Sequence, residues 1–354
     1  MKGKMKAAVL CGIDDLQIKE IDIPELWADD VLVKVKACGV CGSDIPRVLT
    51  QGTYHFPTIP GHEFGGEVVE IGSAVSEDLL HKNVAVIPLI PCRTCTSCEV
   101  GDFAQCENYD FLGSRSDGGF AEYVKVPKDN VVIMPHTLSA EAAAFLEPIS
   151  VALHVVSNNE VHVGDDVAVF GLGAIGIFVA QWAKAFGAQH VFAIDLDPEK
   201  VKIAQSIGLS DAICAPFEEV QKMIMEKTNG HGCDVVFEAS GAGIVFNQAM
   251  KLLKQNGRFG PVGRPAGSLL IENETYEAIL RKQICIKGTW SFEFKRFPHN
   301  AWDIALQALA NGTIVIDPII SHRLSLDKTY EAIRIMADHR EFFYKILIEP
   351  EIDS

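Results

Sequence analysis

Two different rhythms of apolar and polar positions divide the chain. Up to about residue 155, short β-type runs are broken by Gly and Pro. Val31-Leu32-Val33-Lys34-Val35-Lys36 and Gly66-Glu67-Val68-Val69-Glu70-Ile71 read as strands bounded by turn residues, and a first strand opens near Ala7. From about Val161 the rhythm changes. Val167-Ala168-Val169-Phe170 is a short apolar strand, Ala174 to Phe186 repeats at helical spacing, Val191 to Ile194 is a strand, and Asp197 caps a helix over Pro198 to Ile207. Further strands at 212–214, 234–237, 258–259 and 284–286 continue the alternation, which predicts an α/β unit: a parallel sheet with helices on both faces. After Trp290 the alternation fades. Residues 300–310 and 326–338 read as helices and 345–348 as a closing strand, a tail expected to return to the first domain.

The turn after the strand 167–170 carries chemistry. Gly171-Leu172-Gly173-Ala174-Ile175-Gly176 links that strand directly to a helix. The first glycine allows the sharp turn, the second lets a pyrophosphate approach the backbone, and the third lets helix and strand pack closely. The free N–H groups of the helix start attract the phosphates. Asp195 ends the next strand, nineteen residues after Gly176. A carboxylate there bonds the ribose hydroxyls of NAD and repels the 2′-phosphate of NADP. NAD is therefore the expected cofactor, and Ser240, Val262 and Gly263 complete the expected cofactor-binding set.

Ten cysteines need an account, and four of them crowd between Cys92 and Cys106. Cys92, Cys95, Cys98 and Cys106 give a C-x2-C-x2-C-x7-C spacing. Four thiolates satisfy tetrahedral zinc and leave no open position, so this site is expected to brace a loop. An iron–sulfur cluster is the rival; a ferredoxin-like run has a shorter last gap and commonly a following proline, whereas position 107 is Glu.

A second candidate set is dispersed. Cys41 lies in Cys41-Gly42-Ser43-Asp44, His62 and Glu63 follow Gly61, and Glu147 precedes Pro148. One thiolate, one imidazole and one carboxylate leave a fourth position free, as catalytic zinc needs. Ser43 is placed to relay a proton and Asp44 to orient His62 through its other ring nitrogen. The third ligand is Glu63 or Glu147. Neighbours on a strand point to opposite faces, which favours Glu147 with Glu63 close by.

With these residues in view, the chain resembles the zinc-dependent medium-chain dehydrogenases from end to end. Gly61-His62-Glu63-Phe64-Gly65-Gly66 with Gly72 matches that family's zinc signature. The resemblance implies a GroES-like catalytic domain from residues 1–155 and 296–354, with a Rossmann domain of residues 156–295 between them. Glu147-Pro148-Ile149-Ser150-Val151 is similar to the sorbitol and threonine dehydrogenase branch. Cys41-Gly42-Ser43-Asp44-Ile45-Pro46-Arg47, Tyr109-Asp110-Phe111-Leu112-Gly113-Ser114-Arg115 and Gly288-Thr289-Trp290-Ser291 are closer still to galactitol-1-phosphate 5-dehydrogenases. That implies oxidation of galactitol 1-phosphate to tagatose 6-phosphate with NAD. Pro46 stands where the sorbitol branch has a histidine, which removes a relay partner beyond Ser43. A phosphorylated polyol needs a cation at its far end, for which Arg47 is the first candidate and Arg115 the second.

Composition narrows the partners. The formal net charge of -16 disfavours nucleic acid and anionic membranes. The uncharged stretch Val167 to Ala183 falls short of a membrane span and holds three glycines. Basic residues before Ala7 resemble a weak signal peptide, but Asp14 and Asp15 follow almost at once without a small-residue cleavage site, so the chain is expected to be cytoplasmic and its cysteines not to form disulfides. A homodimer or homotetramer is expected.

Overall fold

The computed structural model describes residues 1–265, 267–295 and 300–352. The chain folds as two units. One holds Met1–Glu147, Glu293–Ala310 and Ile319–Ser354; the other holds Pro148–Phe292 and Asn311–Pro318. The first change of unit falls inside the helix Ala140–Asn158, earlier than the expected 155/156. That helix is apolar on nearly all sides, so it presents no rhythm to read. The expected boundary at 296 lies outside the described residues.

In the first unit, the strand Asp30–Gly39 is the centre of a seven-stranded sheet. It pairs antiparallel with Glu63–Ile71 on one edge and with Tyr123–Pro127 and Lys345–Ile348 on the other. Flanked on both sides, it is buried along most of its length, which explains its near-continuous Val and Leu. Val31, Val33, Val35, Phe64, Val68, Val84, Phe120, Val124, Ile346 and Ile348 share one core. The register sets Gly39 opposite both Glu63 and Leu347. Three distant stretches of sequence thus converge at one end of the central strand.

The second unit is a five-stranded parallel sheet in the order His190–Ile194, Asp166–Phe170, Cys233–Glu238, Leu253–Pro261, Cys285–Ile286. Helices Ala174–Ala185, Pro198–Ser206, Phe217–Lys227, Gly243–Leu252 and Asn273–Lys282 alternate with its strands. The strand expected at 212–214 is reduced to one bridge, Ile213 to Ile194. Only Ile213 exchanges backbone bonds there, donating to Ala193 and accepting from Asp195, and Pro216 soon follows. Among the described residues, Ala140–Asn158 is the one helix long and apolar enough to cross a membrane. It is 72% buried within the protein over its most apolar window, as a core helix is.

Candidate active site

The convergence at Gly39 builds a cluster. Ligand atoms of Cys41, His62 and Glu63 lie within 4.8 Å of one another. Cys41 follows the central strand, and Glu63 is the first residue of the next one. His62 precedes that strand, after Gly61 at φ +93°. Strand alternation therefore does not govern this pair, and His62 and Glu63 reach the same spot. Glu147, the other expected ligand, is buried beside them and feels the charges of His62, Glu63 and Cys41, while its carboxylate is not among the atoms that lie within 4.8 Å.

The donor set suits a cation. Burial, with Glu63 and Asp44 adding to it, pushes the Cys41 thiol up to about 11. Burial, reinforced by Glu63 and Cys41, raises Glu147 to about 8. His62 Nδ1 is buried with no hydrogen-bond partner. A divalent ion would favour the thiolate and carboxylate forms that burial disfavours.

Asp44 is fully buried. Its Oδ2 accepts the Cys41 N–H at 3.0 Å, and its Oδ1 lies 3.7 Å from His62 Nδ1, beyond a hydrogen bond. The closer partner of Oδ1 is the Arg47 guanidinium. Arg47 is thus committed to Asp44. Ser43 precedes the short helix Asp44–Leu49, and its N–H points to Cys41 Sγ at 3.5 Å. Arg115 lies between two aromatic faces, 4.3 Å from the ring centres of both Tyr54 and Tyr109.

The four-cysteine lobe closes as its spacing suggests, with all four sulfurs within 4.8 Å. Backbone N–H groups do part of the work: Thr94 lowers Cys92 to about 6, and Glu107 lowers Cys95. Burial raises Cys98, to about 12, and Cys106. The fold thus favours the thiolate at Cys92 and Cys95 and opposes it at Cys98 and Cys106.

In the second unit each glycine of the turn has its own reason. Gly171 takes φ +87°, and a Cβ there would meet Ser240 N at 2.6 Å. A Cβ on Gly176 would meet Gly171 O at 1.8 Å. Gly173 faces open space at the start of the helix Ala174–Ala185, which leaves room for a phosphate over the free N–H groups of Ala174 and Ile175. Asp195 Oδ2 accepts the Leu172 N–H at 2.6 Å, so its carboxylate sits beside the turn.

Three residues that sequence reasoning missed organise these sites. Lys345 is 2% exposed; its Nζ pairs with Glu63 Oε2 and donates to Val40 O at 3.1 Å. Burial opposes its charge, but Glu63 and Cys41 outweigh it and hold the ammonium protonated. Gly39 makes room for the pair, since a Cβ there would come within 2.3 Å of Glu63 Oε2. Glu238 is buried; its carboxylate accepts from Ser240 N at 2.7 Å and Gly241 N at 2.9 Å, and its carbonyl accepts from Val262 and Gly263 at 2.8 Å. The available signal was a single charge set in an apolar run: Lys345 before Ile346-Leu347-Ile348, and Glu238 after Val235-Val236-Phe237.

The chain is similar to known proteins along almost its whole length. Residues 27–136 match the alcohol dehydrogenase GroES-like domain, and residues 174–310 the zinc-binding dehydrogenase domain. Galactitol 1-phosphate 5-dehydrogenase of Escherichia coli (strain K12) is 34% identical over 94% of this chain and 96% of its own. The crystal structure of galactitol-1-phosphate dehydrogenase from Escherichia coli superposes with a TM-score of 0.90 over 98% of this chain and 100% of that one, at 33% identity. Sorbitol dehydrogenase of Bacillus subtilis (strain 168) is 30% identical over 98% of this chain and 97% of its own. A putative zinc-binding dehydrogenase from Sinorhizobium meliloti 1021, solved bound to NADP, is 31% identical with a TM-score of 0.89, covering 98% of this chain and 100% of that one.

Proposed function

Because the chain belongs to the zinc-binding, GroES-like alcohol dehydrogenase family, we propose that it oxidises a secondary alcohol of a polyol phosphate, galactitol 1-phosphate to tagatose 6-phosphate, with NAD as hydride acceptor. The observation that carries this reading is the Cys41, His62 and Glu63 cluster, a thiol, an imidazole and a carboxylate gathered within 4.8 Å.

Cys41, His62 and Glu63 would hold the catalytic zinc, with the buried Glu147 carboxyl as a further candidate ligand beside them. Bound there, the ion supplies Lewis acidity that lowers the pKa of the substrate hydroxyl. Asp44 fixes the Cys41 backbone through its N–H and lies against His62. The Ser43 hydroxyl carries the released proton toward water; Pro46 contributes no side-chain group to continue the relay. Cys92, Cys95, Cys98 and Cys106 would hold a second, structural zinc.

The NAD assignment rests on Asp195. Its carboxylate stands beside the glycine turn, where a 2′-phosphate would meet negative charge. Gly171, Gly173, Ala174, Ile175 and Gly176 cradle the pyrophosphate, while Ser240, Val262 and Gly263 line the approach. Ten cysteines, all free, suit the reducing cytoplasm, and the active form is a homodimer or homotetramer. A panel of polyols and their 1-phosphates, assayed for NAD and NADP reduction by zinc-loaded protein, tests the reading. Turnover of galactitol 1-phosphate with NAD is expected. Preference for a neutral polyol such as sorbitol, or for NADP, would replace the corresponding part.

A further inference from the structure

Arg115 is an unusual cation for this chain. Among the described residues, Arg47, Arg93, Arg258, Arg281, Arg323, Arg334 and Arg340 each pair with a carboxylate. Arg115 and Arg264 have no such partner among them, and of these two it is Arg115 that two rings enclose. It is held instead by shape. The guanidinium is clamped between the Tyr54 and Tyr109 rings, each centre 4.3 Å away, and its Nη2 donates to Tyr54 Oη at 3.3 Å. The loop beneath it is pinned. His55 Nε2 bonds Arg115 O at 2.9 Å, Thr53 Oγ1 donates to Ser114 O at 2.9 Å, and Asp117 Oδ1 accepts the Ile59 N–H at 2.9 Å.

Two neighbouring polar atoms in this loop lack partners. Arg115 Nε and Ser116 Oγ are both buried without a hydrogen bond. Buried donors of this kind are costly unless an acceptor arrives. A planar guanidinium, charged at all working pH values and fixed in orientation by two aromatic faces, is organised in advance for an oxyanion with several oxygens.

The loop also has a fixed relation to the metal cluster. Gly119 N–H donates to Gly61 O at 2.8 Å, and a Cβ on Gly113 or Gly118 would strike Gly61 O at 2.4 Å or 2.0 Å. Gly61 directly precedes His62. A run of ring contacts connects the two places: Tyr109 to Phe111 at 6.3 Å, then Phe111 to His62 at 5.8 Å. These contacts tie the Arg115 loop to the ligand cluster through Gly61 and Phe111.

We infer that Arg115, clamped by Tyr54 and Tyr109 and helped by Ser116, is the specificity-determining residue that binds a terminal phosphomonoester on the substrate. Arg47 is the competing cation, with its Nη1 paired to Asp44 Oδ1. This rests on the proposed polyol-phosphate reading, and it is tested by binding as well as by turnover.

The test uses zinc-loaded full-length protein, titrated calorimetrically with glycerol 1-phosphate, glycerol and inorganic phosphate, in wild type, Arg115→Gln, Arg115→Lys and Tyr54→Leu. Loss of a charge-assisted bond to phosphate should weaken glycerol 1-phosphate binding about 10- to 100-fold in Arg115→Gln, with glycerol changed less than about threefold. Arg115→Lys should fall between, because a point charge remains without the fork. Tyr54→Leu, which frees the guanidinium but keeps its charge, should weaken the phosphate by several-fold and spare glycerol. In turnover, KM for a polyol phosphate should rise in Arg115→Gln while kcat for an unphosphorylated polyol holds. Equal effects on phosphorylated and neutral ligands, or no phosphate binding by wild type, overturn the inference. Phosphate binding that depends on Arg115 without any NAD reduction would leave it standing and defeat the dehydrogenase reading. NAD reduction with Arg115-independent phosphate binding would do the reverse.

Discussion

Replacing Lys345 by Met should expose how the catalytic unit tolerates its buried charge. Lys345 and Glu63 side chains are each 2% exposed, so water cannot take over when the ammonium is removed. Breaking a buried pair by deleting one partner costs about 3–5 kcal/mol. The bond from Nζ to Val40 O at 3.1 Å is lost as well, worth about 1 kcal/mol. Metal-free Lys345→Met should therefore lose about 3–5 kcal/mol in denaturant unfolding followed by circular dichroism. Zinc-loaded protein should lose clearly less, because the ion offers Glu63 another positive partner. Removing both charges, as Lys345→Met with Glu63→Gln, should recover much of the metal-free loss. A metal-free Lys345→Met within about 1 kcal/mol of wild type would refute the reasoning.

Three other outcomes follow from the same geometry. Asp195→Asn should shift the ratio of kcat/KM toward NADP by at least about tenfold, a discrimination typical of one charged contact; an unchanged ratio in NAD and NADP assays would remove Asp195 from the selectivity. Cys98→Ser should reduce bound zinc from two equivalents to one by elemental analysis, and retention of both would unseat the four-thiolate site. Glu147, raised to about 8 from an ordinary 4.5, keeps in the metal-free fold a proton that the unfolded chain has already lost. Its contribution to stability should therefore decline as pH rises from about 4.5 toward 8, and Glu147→Gln should flatten that slope in pH-dependent denaturation. An identical slope in the variant would count against the buried carboxyl.

The parallel sheet and the glycine turn were legible because their signals are local. A strand, a tight turn and a helix follow in consecutive residues from Val167 to Phe186, and each glycine meets a backbone neighbour or an open approach, as its place in the turn requires. The cysteine lobe was legible for the same reason. The helix Ala140–Asn158 escaped because burial erases amphipathic rhythm. The order of ligands was harder still. Whether Glu63 or Glu147 joins Cys41 and His62 depends on His62 lying just before the strand, a detail of one residue in register. Lys345 and Gly39 are related only through the pairing of Gly39 with Leu347 and Glu63, which no local pattern announces. Arg47 pairs with Asp44 only three residues earlier in its own helix, whereas Arg115 bonds Tyr54, 61 positions away, a contact no local pattern announces.

The most direct measurement is reduction of NAD by galactitol 1-phosphate, followed as reduced nicotinamide absorbance, with zinc-loaded protein, after chelation, and after zinc is restored. The account predicts turnover that vanishes on chelation and returns with zinc, together with loss of turnover in Cys41→Ser despite retained NAD binding. Undiminished reduction after verified removal of the metal would contradict it.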